Sequence, residues 1–104
     1  MLPLVSLAPA LERALGETVQ QTDEGSYLSM EPGFAQHLIT KLSKSAEKFM
    51  EMGQTPLVLA PAHIRPALAR FVERFVPGYD VMSHQEIAPN TRVQSLGVIA
   101  VEQG

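Results

Sequence analysis

The chain has 104 residues and a formal net charge of −3, and 45% of its residues are hydrophobic, which suits one compact domain and is too short for two. It contains no cysteine, so disulfides and thiolate metal sites are excluded. The acidic balance gives no general attraction to nucleic acid or to a membrane surface, and no apolar run approaches the roughly 20 residues of a membrane span.

The first half of the chain alternates apolar and polar segments. A short apolar run at the N-terminus predicts a strand, and Pro9 and Gly16 predict the start and end of a helix. A polar stretch containing Gly25 predicts a flexible loop. In chain order the predicted elements are a strand at 2–7, a helix at 10–15, a flexible loop at 17–30 and a long helix from 32 to about 52.

The second half predicts a strand, a helix and two further strands. Pro66 is expected in the first turn of this helix, where it breaks no hydrogen bond, and Gly97 is expected to mark a bulge in the last strand. A strand–helix–strand unit implies parallel pairing. The predicted elements are a strand at 56–60, a helix at 63–76, a strand at 79–83 and a strand at 93–101. The fold class is therefore α/β: one domain over 1–104, with a mixed sheet of about four strands and three helices.

Both longer helices carry apolar residues at helical spacing, which indicates the faces that pack on the sheet. On the long helix this face is predicted to contain Phe34, Leu38, Leu42, Ala46, Phe49 and Met50. On the later helix it is predicted to contain Ile64, Leu68, Phe71, Val72 and Phe75. Leu59 and Val81 are expected to be buried between the sheet and that helix.

The sequence offers no catalytic constellation. The three histidines, His37, His63 and His84, fall on different elements without the paired spacing of metal ligands. No serine has a base and an orienting group at a useful spacing, and the link after the strand at 56–60 lacks the glycines of a phosphate-binding loop. We therefore predict that the chain is not an enzyme and holds neither a metal nor a cofactor.

Charged residues recur every three or four positions on two helices, so each set shares one exposed face. One set is Lys41, Lys44 and Lys48 on the long helix. The other is Arg70, Glu73 and Arg74 on the later helix. Either set suits contact with a protein partner, whereas a solvated helix face is the alternative interpretation of the lysines. Nucleic acid is not expected, because no aromatic residues are interleaved with the basic ones.

Several segments resemble, in order and spacing, the C-terminal end of the FlhA family, also called the FHIPEP or type III secretion export-gate family. The match extends over nearly the whole chain and is weakest at 17–26, and its later segments look more like flagellar than virulence members. The segments are MEPG at 30–33, LVL at 57–59, IR at 64–65, FVERFVP at 71–77, VMSHQEI at 81–87 and LGVI at 96–99.

The resemblance implies a non-catalytic, protein-interaction role. Members have an N-terminal membrane bundle and a large cytoplasmic region that forms a nonameric ring at the cytoplasmic side of the bacterial inner membrane. The ring receives export substrates with their chaperones and contacts the stalk protein of the ATPase. This chain would hold the last subdomain and part of the preceding one, with neighbouring gate subunits as further partners and no membrane contact of its own.

A small-molecule-binding or transferase-like α/β domain is the alternative. Its site would lie at the carboxyl ends of the strands, near 60–63 and 83–86. A deep apolar pocket at that place would favour this alternative, and a shallow surface would favour protein interaction.

Overall fold

The computed structural model describes residues 1–101, and the last three positions of the predicted domain lie outside the described residues. The elements, in chain order, are β1 (Leu2–Leu7), α1 (Pro9–Thr18), β2 (Val19–Thr22), β3 (Gly25–Leu28), α2 (Pro32–Glu51), β4 (Leu57–Leu59), α3 (Arg65–Phe75), β5 (Asp80–Met82), a 3-10 turn (His84–Glu86) and β6 (Val93–Ile99).

Four strands form the main sheet in the order β5-β4-β1-β6. Every neighbouring pair is parallel, with Val58 of β4 opposite both Val5 of β1 and Val81 of β5. The predicted α/β class, with four strands in one sheet and three helices, is confirmed. The sheet itself is parallel throughout, and the antiparallel pairing expected of a mixed sheet lies in a separate two-stranded hairpin.

The hairpin occupies most of the segment 17–30, which the sequence predicted as a flexible loop, so that prediction was wrong. β2 and β3 pair antiparallel. At the turn, Thr22 Oγ1 donates to the Gly25 carbonyl at 3.0 Å and accepts from the Glu24 N–H at 3.2 Å. Gly25 has a φ of +120°, which favours glycine. Polar composition concealed the hairpin because its packing partner is α3, far away in sequence.

The bulge predicted at Gly97 is confirmed. Leu4 of β1 lies opposite Ser95 and Ser6 lies opposite Val98, so one more residue separates the two positions on β6 than on β1. Gly97 has a φ of +148°, a backbone conformation that side chains with a Cβ rarely adopt. The glycine thus keeps β6 paired with β1 on both sides of the irregularity.

Two helix boundaries differ from the predicted ones by two residues or more. Gly16 does not end α1, which continues to Thr18, where the side-chain hydroxyl donates to the Leu15 carbonyl at 2.8 Å. α3 begins at Arg65 rather than at position 63, because the preceding residues form a turn. Pro66 lies in the first turn of α3, as predicted.

The core forms where α1, α2 and α3 bury their apolar faces around the sheet. The predicted core is confirmed for most positions of both faces, and its fully buried members include Leu38, Leu42, Phe49, Ile64, Leu68 and Val72. Val81 is buried as well, whereas Leu59 is only partly covered. Two predicted members are exposed: Met50 by 70% and Phe75 by 47%. Met50 directly follows buried Phe49, and a step of about 100° per residue carries its side chain off the core face. Phe75 shares the core face by spacing but is the last residue of α3.

A polar contact joins α2 to the segment before β5. The hydroxyls of Ser45 and Tyr79 lie 2.7 Å apart, and the Tyr79 ring packs edge-on against Phe49 with centroids 6.2 Å apart. Burial raises the pKa of the Tyr79 phenol, and the bond to Ser45 acts against that shift.

Within residues 1–101, no helix is both long and apolar enough to cross a membrane.

Candidate functional site

The predicted arginine set lies where α3 packs against the hairpin. Arg70, Glu73 and Arg74 are all exposed on α3, and they line a concavity with four hairpin residues. We call this surface, lined by Thr22, Asp23, Glu24, Tyr27, Arg70, Glu73 and Arg74, the α3–hairpin concavity. The structure therefore brings the three predicted residues together and adds the tip of the hairpin, which has two carboxylates.

Arg70 has an internal role in this surface. Its guanidinium donates to the backbone carbonyl of Glu24 at 3.1 Å and to that of Ser26 at 3.4 Å. These bonds fix β3 beside α3 and use two donors of the guanidinium. Of the predicted set, Glu73 and Arg74 have no such bond within the described residues and are left to face outward.

Aromatic rings lie beside these charges. The Arg74 guanidinium lies over the Phe75 ring, 5.2 Å from its centroid, and the Phe75 ring packs against that of Phe71 with centroids 5.0 Å apart. Tyr27, on the hairpin, is 42% exposed. Sequence reasoning missed both Tyr27 and Phe75 as surface residues, because one lay in a predicted loop and the other in the predicted core. The Asp-Glu-Gly turn sequence at 23–25 was the available signal for the hairpin.

The lysine set lies beside the opposite edge of the molecule's sheet. Lys41, Lys44 and Lys48 of α2 line a groove of about 200 Å³ together with β6. We call this surface the lysine groove; it is lined by Val5, Lys41, Lys44, Ser45, Lys48, Leu96, Gly97, Val98 and Ile99. Lys48 Nζ donates to the Leu96 carbonyl at 3.0 Å, so α2 and β6 are linked directly across the groove.

An ion pair between Arg65 and Glu86 lies at the carboxyl ends of β4 and β5, where the alternative placed a small-molecule site. Arg65 Nε and the Ser83 N–H both donate to Glu86 Oε1, at 2.7 Å and 2.9 Å. The Ser83 backbone bond lowers the pKa of the Glu86 carboxyl, and the Arg65 side chain lowers it further. The carboxylate thus has two internal partners, and it lines an open depression of mixed polar and apolar surface, not the deep apolar pocket that would favour the small-molecule alternative.

The three histidines remain apart. His37 lies on α2, His63 precedes α3, and His84 begins the 3-10 turn, and all are exposed. Over residues 1–101 no group of three or more histidine, aspartate or glutamate side chains could hold a metal ion. The interpretation of these residues as surface and loop histidines fits their positions.

The fold and these surfaces define a small parallel α/β domain with an attached hairpin, whose candidate functional side chains lie on the open faces of two helices. A sequence model described as the FHIPEP family matches residues 1–92, which is 92 of the 104 residues. The chain belongs to the FHIPEP family. The resemblance drawn from the sequence segments is thereby confirmed.

Relatives and solved structures agree with this assignment. The chain is 32% identical over 101 residues to the flagellar biosynthesis protein FlhA of Bacillus subtilis, a match that covers 97% of the chain and 15% of that protein. It is 26% identical to a chain of the cryo-EM structure of nonameric EPEC SctV-C, with a TM-score of 0.74, covering 94% of this chain and 29% of that one. It is 28% identical, with a TM-score of 0.70 and coverages of 94% and 29%, to a chain of the Chlamydia pneumoniae CdsV and CdsO complex.

Proposed function

We propose that this chain is a non-catalytic, protein-interaction part of the cytoplasmic ring of a flagellar-type export gate. In that role it helps to dock export substrates with their chaperones and the stalk of the ATPase, at the cytoplasmic side of the bacterial inner membrane. Within the longer family members it corresponds to the last subdomain and part of the preceding one. Neighbouring gate subunits are its further partners.

The family match over most of the chain carries this proposal. The chain spans about 15% of the length of the FlhA relative. The role of that whole protein is therefore part of the proposal for this chain. Two similar structures support the kind of contact proposed, since one is described as nonameric and the other as a complex of CdsV with a second protein, CdsO.

The α3–hairpin concavity is the surface that best suits a helical protein partner. Arginine and aromatic residues are enriched where proteins contact one another. This surface combines Arg74 with the exposed ring of Tyr27, and the exposed ring of Phe75 lies next to it, beneath the Arg74 guanidinium. Its scaffold is firm, because α3 packs against both β5 and the hairpin strand β3. The planar guanidinium of Arg74 fits a carboxylate on the partner.

The test is a binding titration with the purified stalk protein of the same export apparatus. Arg74→Glu is the variant to use, because changing Arg70 would also release the hairpin. We expect Arg74→Glu to weaken binding about tenfold at low salt and less at moderate salt, since exposed charges are screened. The matched control is Arg13→Glu, which makes the same change of charge on exposed α1.

The unchanged chain must first bind the stalk measurably. If Arg74→Glu then binds the stalk with the same affinity, the proposed surface is wrong. A second variant, Phe75→Ala, tests the same contact with the stalk without changing the charge of the chain. Phe75 is half-exposed, so its loss should weaken the contact without unfolding α3, which the far-ultraviolet circular dichroism of each variant would check.

A further inference from the structure

The strand β6 forms an open edge of the parallel sheet. It pairs with β1 on one side, and within residues 1–101 no strand pairs with its other side. Two of its valines project into solvent, Val93 with 49% exposure and Val98 with 61%. An open strand edge presents backbone N–H and C=O groups that can pair with another extended chain.

The positive charge beside this edge is concentrated in one groove. All three lysines of the chain, Lys41, Lys44 and Lys48, line the lysine groove, although the chain as a whole carries a net charge of −3. None of the residues lining the groove is acidic. Over the described part of the chain, the lysines form no ion pair with a carboxylate; the ion pair found there joins Arg65 to Glu86.

Lys48 forms a hydrogen bond with the backbone of β6. Its ammonium donates to the Leu96 carbonyl at 3.0 Å, at the bulge where Gly97 departs from regular pairing. Native proteins limit uncontrolled pairing of edge strands with charged side chains and by covering the edge with a helix or loop. The same ammonium has further donors and can also bond a carboxylate on an incoming chain.

We propose that the β6 edge and the lysine groove together bind an extended acidic peptide segment, which adds to the sheet as a further strand. Backbone bonds to β6 supply affinity, and acidic side chains on alternate residues of the peptide reach Lys41 and Lys44. Apolar residues between them cover Val98. This inference rests on the proposed role in protein interaction and deepens it, because it names the chemistry of one partner and a surface separate from the α3–hairpin concavity.

An extended segment fits this surface better than a helix does. The groove is small, about 200 Å³, and it runs between α2 and the last strand of the sheet. The unpaired side of β6 offers backbone hydrogen bonds that only an extended backbone can use in series. Charge complementarity selects an acidic segment over a neutral or basic one.

The probe is a fluorescein-labelled peptide of about ten residues, the length of a long strand, which alternates glutamate with threonine or valine. Its fluorescence anisotropy is followed during titration with the 104-residue chain at about 50 mM salt. We expect saturable binding, weakened about tenfold by Lys41→Glu with Lys44→Glu. For a matched single change, Lys44→Glu should weaken binding and Arg13→Glu should leave it unchanged.

Two further measurements separate strand addition from simple charge attraction. The same peptide with its backbone nitrogens methylated at alternate residues keeps its charge but cannot pair on one edge, so it should lose binding. Amide chemical shifts should move at Val93–Ile99 and not at Asp80–Met82 of the other edge. Equal binding by the methylated peptide, equal binding by the double lysine variant, or shifts confined to β5 would each overturn the inference.

Failure here is distinguishable from failure of the proposed function. If Arg74→Glu loses stalk binding and the unchanged chain does not bind the peptide, the proposed function is supported and this inference is wrong. If peptide binding depends on the lysines but stalk binding is unchanged in Arg74→Glu, only the proposed docking surface for the stalk is wrong.

Discussion

The Arg70 guanidinium donates to the backbone carbonyl of Glu24, 46 residues away in sequence, at 3.1 Å. A second bond of 3.4 Å reaches the Ser26 carbonyl. A charged donor can satisfy two backbone acceptors, one in the hairpin turn and one in β3, because the guanidinium presents several N–H groups in one plane. The hairpin is therefore anchored by a side chain of α3, and the shape of the α3–hairpin concavity depends on that anchor.

Arg70→Ala should loosen the hairpin while leaving the sheet intact. Both lost bonds are exposed, so we expect a decrease of only about 1 kcal/mol in the free energy of unfolding. The local effect should be larger: amide hydrogens of β2 and β3 should exchange faster with solvent, whereas those of β1 and β4 should not change. Arg74→Ala is the control, since it makes no such bond. Unchanged exchange in the Arg70 variant would show that the bonds do not hold the hairpin.

Leu68→Ala should destabilise the fold strongly. Leu68 is fully buried between α3 and the sheet, and truncation there removes apolar contacts and leaves a cavity, at a cost of about 2–5 kcal/mol. The control is Met50→Ala, because Met50 shares the apolar character of the core but is 70% exposed, and its cost should stay within about 0.5 kcal/mol. Urea unfolding midpoints measure both. Similar midpoints for the two variants would contradict the placement of these helices.

Much of this fold is predictable because its signals are local. A buried parallel strand is read as a short apolar run, as at Leu57–Leu59, and α2 begins at Pro32, the residue type whose fixed φ favours a helix start. The hairpin was missed because its short, polar strands carry no such signal, and it is held by contacts with α3 from far along the chain. Local propensity alone does not reveal such long-range support.

The candidate surfaces were only half predictable for the same reason. Helical spacing places Lys41, Lys44 and Lys48 on one face, but nothing in that spacing shows that β6 lies next to them. The position of β6 at the sheet edge depends on strand order, which the sequence did not determine. Likewise, Arg70 was grouped with Arg74 as a partner-binding residue, and only the observed hairpin shows that it has an internal task.

The ion pair at the end of β5 should make stability depend on pH. Because the folded pKa of Glu86 lies below its unfolded value, the contribution of this carboxylate is present above the unfolded pKa of about 4.3 and is lost as pH falls through the folded pKa. Glu86→Gln removes the charge, so its urea midpoint should lie below that of the unchanged chain at pH 7. The two should converge in acid, where the glutamate is protonated. Glu47→Gln, at an exposed position of α2, should show no such convergence, and a constant difference for Glu86→Gln would contradict the assignment.

Gly97→Ala should be costly for a backbone reason. Gly97 has a φ of +148°, and residues with a Cβ occupy such conformations at a cost of about 1–3 kcal/mol. The new methyl group would also lie 3.6 Å from Lys48 Nζ, ordinary contact that adds no clash, so strain and not crowding should set the effect. Gly33→Ala is the matched control: it lies in the first turn of α2 with nothing within 4 Å of the added Cβ, and a helical alanine should be neutral or stabilise by up to about 1 kcal/mol. Urea unfolding distinguishes the two substitutions. A loss of equal size in both would mean that the positive φ of Gly97 does not set the effect, and a loss in neither would mean that β6 can rebuild its bulge without the positive φ.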